Sequence, residues 1–154
     1  MAEQAVIPHN ALVLVGDGRK ALFMRNVGQP LRVKLEIVRL LEHETLRNQD
    51  LMSDRAGRTV AGAGPGHSAM EEPDWHHLEE SRFVHTVAQA ITRIALTEPE
   101  LQVVVVMPPK ALGDFRAGLS AAAKKHVVAE IHKDLAGFSA RDIEQHLQAV
   151  AGPL

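Results

Sequence analysis

Two groups of side chains in this sequence are typed and spaced for chemistry on an anion or an ester. Arg55 and Arg58 stand at the mouth of a run carrying Gly57, Gly62, Gly64 and Gly66, and His67 and Ser68 close that run. Arginine grips phosphate with a planar fork of N–H donors, and glycine lets a backbone approach a ligand closely. His67 or Ser68 working with Asp17 would instead suit hydrolysis of an ester or phosphoester, because a hydroxyl or imidazole needs a neighbouring group to activate it. The second group follows the ends of strand-like segments: Asp17 and Arg19 after Val15-Gly16, Lys110 and Arg116 after Val106-Met107, and Lys133 after Ile131. Lys110 and Arg116 belong to a helix that starts at a strand exit, where open sheets bind ligands and helix N-termini attract anions. Plainer readings stand beside these: a hairpin turn at Asp17-Gly18-Arg19, anchoring of Arg55 and Arg58 by Asp54 or a nearby Glu, and solvated charges at Lys110 and Arg116. Lys133-Asp134 likewise suits a turn or a salt bridge. If the strand exits share one sheet edge, the second group gathers there.

Other chemistries lack their residues. With no cysteine there is no disulfide, thiolate metal site or thiol nucleophile. The glycine run has neither the Lys-Ser/Thr of a nucleotide-phosphate loop nor a dinucleotide fingerprint, and no Gly-x-Ser-x-Gly elbow occurs. Two-metal phosphoryl transfer needs several carboxylates at the ends of central strands, and Leu101–Met107 supplies none, being followed by Pro108-Pro109-Lys110. His76 and His77 are adjacent and would point about 100° apart on a helix, while His126 and His132 are too far apart on a strand to share an ion. No metal ligand set and no cofactor site is expected.

The elements that would position these groups can be read from hydrophobic period. Ala11–Gly16 is a short apolar run and predicts a buried strand. Gly16-Asp17-Gly18 signals a tight turn through residues that tolerate positive φ. Arg19–Val27 predicts a second strand. Leu31–Leu41 predicts a third, with Leu31, Val33, Leu35 and Ile37 on one face, so the first third forms an antiparallel meander. Residues 42–54 are polar, with room for a short helical piece. Pro73-Asp74 marks a helix entry with Asp74 as N-cap, and Leu78, Phe83, Val84, Val87, Ala88 and Ile91 recur at helical spacing to about Thr97. Leu101–Met107 is a doubly covered central strand. Pro108-Pro109 starts a helix running over Lys110–Lys125. His126–Lys133 is a last strand with Val127, Ala129 and Ile131 on one face, and Ser139 with Asp142 opens a final helix to about Val150.

The fold expected is α/β, a mixed sheet of about five strands in the order βββ-α-β-α-β-α, as in ribonuclease-H-like folds. It forms one domain over residues 1–154 with a flexible Gly-rich loop at about 55–74. Hydrophobic residues make up 45% of the chain, but there are only four Phe, one Trp and no Tyr, so the core is aliphatic. The scarcity of rings also argues against stacking platforms for single-stranded nucleic acid. A net charge of −2 gives no global field for nucleic acid and leaves only local basic patches. The N-terminus carries no secretory pattern and the longest apolar run, Val103–Met107, cannot cross a bilayer. A cytoplasmic protein without a membrane partner is the expectation.

Several stretches together resemble the host attachment protein family, also described as a bacterial–archaeal branch of release-factor-like domains. They are Val15-Gly16-Asp17-Gly18-Arg19-Lys20-Ala21, Asp54-Arg55-Ala56-Gly57-Arg58, Phe83, the run Val106-Met107-Pro108-Pro109-Lys110-Ala111-Leu112-Gly113-Asp114-Phe115-Arg116, and Ile131-His132-Lys133-Asp134-Leu135. The resemblance implies a fold like the middle domain of archaeal and eukaryotic peptide release factors, with the ribosome or tRNA as partner. In those factors the loop before the long helix carries Gly-Gly-Gln; here it is Gly62-Ala63-Gly64-Pro65-Gly66-His67-Ser68, without glutamine. The resemblance therefore implies an RNA- or ribosome-associated binding module, and the family name implies a part in host-cell attachment. A hydrolase acting on a peptidyl-tRNA-like ester through this loop, and a protein-interaction factor that affects adhesion indirectly, are the alternatives.

Overall fold

The computed structural model describes residues 6–43 and 72–151. The Gly-rich stretch, with Arg55, Arg58, His67 and Ser68, lies outside the described residues. Five strands are formed: β1 (Leu12–Gly16), β2 (Lys20–Asn26), β3 (Leu35–Glu42), β4 (Val103–Val106) and β5 (Val127–Ile131). The helices are α1 (Glu72–Thr97), α2 (Pro109–Gly118), α3 (Ala121–Lys124) and α4 (Ala140–Ala151). The strands make one mixed sheet in the order β3-β2-β1-β4-β5. β1, β2 and β3 form the antiparallel meander, whereas β4 and β5 run parallel to β1.

β1 and β4 are central because their sequences suit burial on both faces: every residue of each is buried. Val103–Val106 are β-branched throughout, a type that is stiff at χ1 and packs well on a pleated surface. Alternate residues then feed two separate cores. Leu12, Leu14, Phe23, Val103 and Val105 meet Phe83, Val87 and Ile91 of α1 and Leu112 and Phe115 of α2. Val13, Val15, Met24, Val104 and Val106 meet Ile143 and Leu147 of α4. Helices therefore cover both faces of the sheet.

Five local expectations are corrected. The Gly16–Lys20 turn closes without positive φ at any described glycine; Asp17 closes it through its side chain instead. β3 begins at Leu35, and Leu31 and Ile37 are exposed. A bulge sets Met24 against Ile37 but Phe23 against Arg39, so Val38 is an extra residue and the alternation reverses beyond it. Leu35 thus joins the core under α4 and Leu41 the core under α1. A second irregularity sets Val103 against Val127 but Val104 against Ala129, which separates Val127 from Ala129 and Ile131. The expected single helix over Lys110–Lys125 breaks at Leu119, and Ser120 restarts it as α3 by accepting a hydrogen bond from Ala123 N–H (3.0 Å). Asp74 lies within α1 rather than at its cap. Ser139 does act as expected at α4, its Oγ accepting from Asp142 N–H (3.1 Å).

Candidate functional site

Three parallel strands leave the sheet along the same edge, and each exit carries one of the motifs singled out by sequence. Gly16 passes into Asp17-Gly18-Arg19, Met107 into Pro108-Pro109-Lys110, and Ile131 into His132-Lys133. Between the first two exits lies a cleft of about 220 Å³, lined by Asp17, Gly18, Arg19, Glu80, Val84, Pro108, Lys110, Ala111 and Asp114. The chain thus brings together three of its sequence-predicted residues, Asp17, Arg19 and Lys110. Lys133 is exposed on the same edge but does not line the cleft.

Asp17 shapes the near wall. Its Oδ1 accepts from the N–H groups of Arg19 (2.8 Å) and Lys20 (2.9 Å), while its own N–H donates to Lys20 O (2.9 Å). This is an Asx turn, in which a carboxylate replaces the next backbone acceptor. It projects Arg19 outward, and the Arg19 guanidinium has no hydrogen-bond or ion-pair partner among the described residues. Gly18 sits hard against α1: a Cβ there would lie 2.8 Å from Glu80 Cβ, so no larger residue fits without movement. Glu80 itself has no polar partner among the described residues.

The far wall is the start of α2. Pro108 is its N-cap, Pro109 its first residue, and no side chain caps it. Pro108 and Pro109 carry no N–H, so the first donors of the helix are the Lys110 and Ala111 N–H groups, which no described side chain takes, with the positive end of the helix dipole behind them. Lys110 Nζ donates to Asp114 Oδ2 (3.3 Å) one turn on, and Ser81 Oγ donates to the same oxygen (2.9 Å), tying α2 to α1. Sequence reading missed Glu80, Ser81 and Asp114. The signal for Asp114 was available as an i,i+4 partner of Lys110. Glu80 stands one turn before Val84, on the buried stripe of α1, which places it at the sheet rim.

Arg116 is not brought to the cleft. It lines a separate groove of about 670 Å³ along β5 with Phe115, Lys124, Val128, Glu130 and His132. There it binds Glu130 through two nitrogens, Nε to Oε2 at 3.0 Å and Nη2 to Oε1. The hydrogen bonds from Arg116 hold the Glu130 carboxyl below its ordinary range, and partial burial opposes the shift. A guanidinium engaged in this way is a weaker candidate for gripping a ligand phosphate. Asp17, the carboxylate considered for hydrolysis with His67 and Ser68, already has Oδ1 shared by two backbone donors. His43, at the exit of β3, faces Glu79 of α1 (Nε2 to Oε2, 3.5 Å) and meets the Phe83 ring edge-on. His43, the last described residue before 44–71, is thereby set against α1 next to Glu80 of the cleft. Among the described residues no three His, Asp or Glu side chains are grouped to hold a metal ion, and no helix is long and apolar enough to cross a membrane.

Residues 12–147 match the model of a family described as protein required for attachment to host cells, and the chain belongs to that family. A search of curated proteins found no match.

Proposed function

We propose that this member of the host attachment family is a release-factor-like binding module whose ligand is an RNA-type polyanion, and that its part in attachment is exerted through that binding. The observation that carries the reading is the joint position of Arg19, Lys110 and the uncapped start of α2 at the exits of two parallel strands. Exposed cations and unengaged helix N–H groups facing one cleft suit a phosphate backbone. The element order, a meander followed by two crossover strands, supports the likeness to the middle domain of release factors. So does the chain order: the Gly-rich stretch with Arg55 and Arg58 follows β3 and precedes α1, and α1 supplies Glu80 and Val84 to the cleft. The site acts by binding, since Asp17 and Asp114 hold turns and helices in place and no described imidazole lines the cleft.

The test is equilibrium binding to tRNA and to ribosomes across a salt series. Binding should fall linearly in log–log form with salt, and Arg19→Ala and Lys110→Ala should each flatten the slope by about one. Arg55→Ala with Arg58→Ala should flatten it by about two on the same reasoning. Binding that ignores salt and all four substitutions, or no binding even at about 50 mM salt, would overturn the proposal.

A further inference from the structure

β3 lies at one edge of the sheet, and along its length the edge is treated in two ways. The approach to the strand and its first residue are sealed by α4. Val33 N–H donates to Gln148 Oε1 (2.6 Å), Gln148 Nε2 donates to Leu31 O (2.6 Å), and Leu35 N–H donates to Glu144 Oε2 (2.8 Å). Beyond Leu35 no described element takes the outer side, and Ile37, Val38 and Leu40 are 53%, 59% and 45% exposed. Soluble proteins usually protect such an edge with charge, proline or a covering element.

The direction of the free backbone groups follows from the fixed ones. Leu35 N–H points away from β2, so two residues on Ile37 points outward as well. His43 N–H donates inward to Arg19 O (2.8 Å), so Leu41 and Arg39 face β2 while Leu40 and Glu42 face outward. The bulge at Val38 makes both statements hold together. It also brings Ile37 and Leu40, three apart, onto the same face, opposite Met24 and Leu22.

We propose that a second copy of this chain adds to this edge in antiparallel fashion, with Ile37 opposite Leu40 of the second copy and Leu40 opposite Ile37 of the second copy. The two sheets then form one. This register meets outward backbone with outward backbone and apolar side chain with apolar side chain on one face. On the other face, where Glu36 and Arg39 stand opposite Arg25 and Phe23, each Glu36 lies diagonal to Arg39 of the other copy. Opposite charges at that spacing favour the pairing. A two-fold axis between Val38 and Arg39 maps every one of these pairs onto its equivalent. The strand is thus its own complement, which docking of an unrelated chain does not require. The contact is short against the roughly 1,200 Å² of a stable complex, so monomer and dimer exchange.

The test is sedimentation equilibrium of the full chain, without RNA, from low micromolar to near-millimolar concentration. A reversible dimer is expected. Ile37→Lys with Leu40→Lys changes exposed side chains only and should weaken association at least about 100-fold. Arg39→Glu alone should weaken it about tenfold, and adding Glu36→Arg should restore it to within about threefold. Hydrogen exchange should show the Ile37 and Leu40 amides protected only in the dimer and the Leu35 amide protected at every concentration. A monomer throughout, including one in which residues 44–71 occupy the edge, would overturn the proposal. So would a dimer indifferent to the lysine pair, or one not restored by the charge exchange.

Discussion

Replacing Asp17 separates two roles that one carboxylate can have at the exit of β1. Its Oδ1 holds the turn by accepting from two N–H groups at 2.8 and 2.9 Å. Alanine at this position removes both acceptor contacts and leaves the Arg19 and Lys20 N–H groups to water. At about 0.5–1.5 kcal/mol for each hydrogen bond, discounted for the exposure of Arg19, the loss is about 1–2 kcal/mol. For a chain of this length that lowers the midpoint of thermal unfolding by about 3–6 °C. Asparagine keeps an oxygen in the same place and should cost no more than about 0.5 kcal/mol. The assay is thermal unfolding of Asp17→Ala and Asp17→Asn beside the parent, followed by tRNA binding for each. Asp17→Asn should bind at least as tightly as the parent, because it removes a negative charge from a cleft proposed to receive phosphate. If Asp17→Asn is as unstable as Asp17→Ala, or binds more weakly than the parent, the turn-forming role is refuted and the charge itself matters.

Two further outcomes follow from the other elements. Glu130 is held below its ordinary value by Arg116, so the pair stabilises the fold above that ordinary value and the contribution is lost as pH falls through the lowered one. Unfolding of Arg116→Ala and the parent should therefore differ at neutral pH and converge in acid, and NMR titration should show Glu130 moving upward in the variant. Phe115 is fully buried between the sheet and α1. Phe115→Ala should cost about 3–5 kcal/mol in denaturant unfolding and lower the melting midpoint by about 10 °C.

Those elements were not equally legible in the sequence. Val103–Val106 could be read at once, because a strand covered on both faces needs apolar residues at every position. The exits after β1 and β4 followed from the same pattern, and with them the meeting of Asp17, Arg19 and Lys110. The bulges at Val38 and Val128 could not be read, since an inserted valine looks like one more member of a strand. Period two runs through it unmarked, and every facing assignment beyond it is inverted. The break before α3 had a sign in Ser120, a strong N-cap residue, but the alanines after it favour helix so strongly that a single helix was the natural reading. The engagement of Arg116 had no local sign, because Arg116 is on α2 and its partner Glu130 is 14 residues away on β5.

The two proposed surfaces do not compete for the same space, and that has a consequence. The cleft lies between the ends of β1 and β4, while β3 is two strands from β1, roughly 10 Å away in the sheet. A copy added beyond β3 therefore leaves the cleft open. Antiparallel pairing about an axis normal to the sheet reverses strand direction, so the second cleft opens at the opposite end of the joined sheet. Two clefts facing opposite ways cannot both grip one short stretch of backbone, and each chain meets its own ligand. Loss of the dimer by Ile37→Lys with Leu40→Lys should then leave the affinity per cleft unchanged. It removes only the ability of one particle to hold two polyanions, or two sites on one long polyanion, at once.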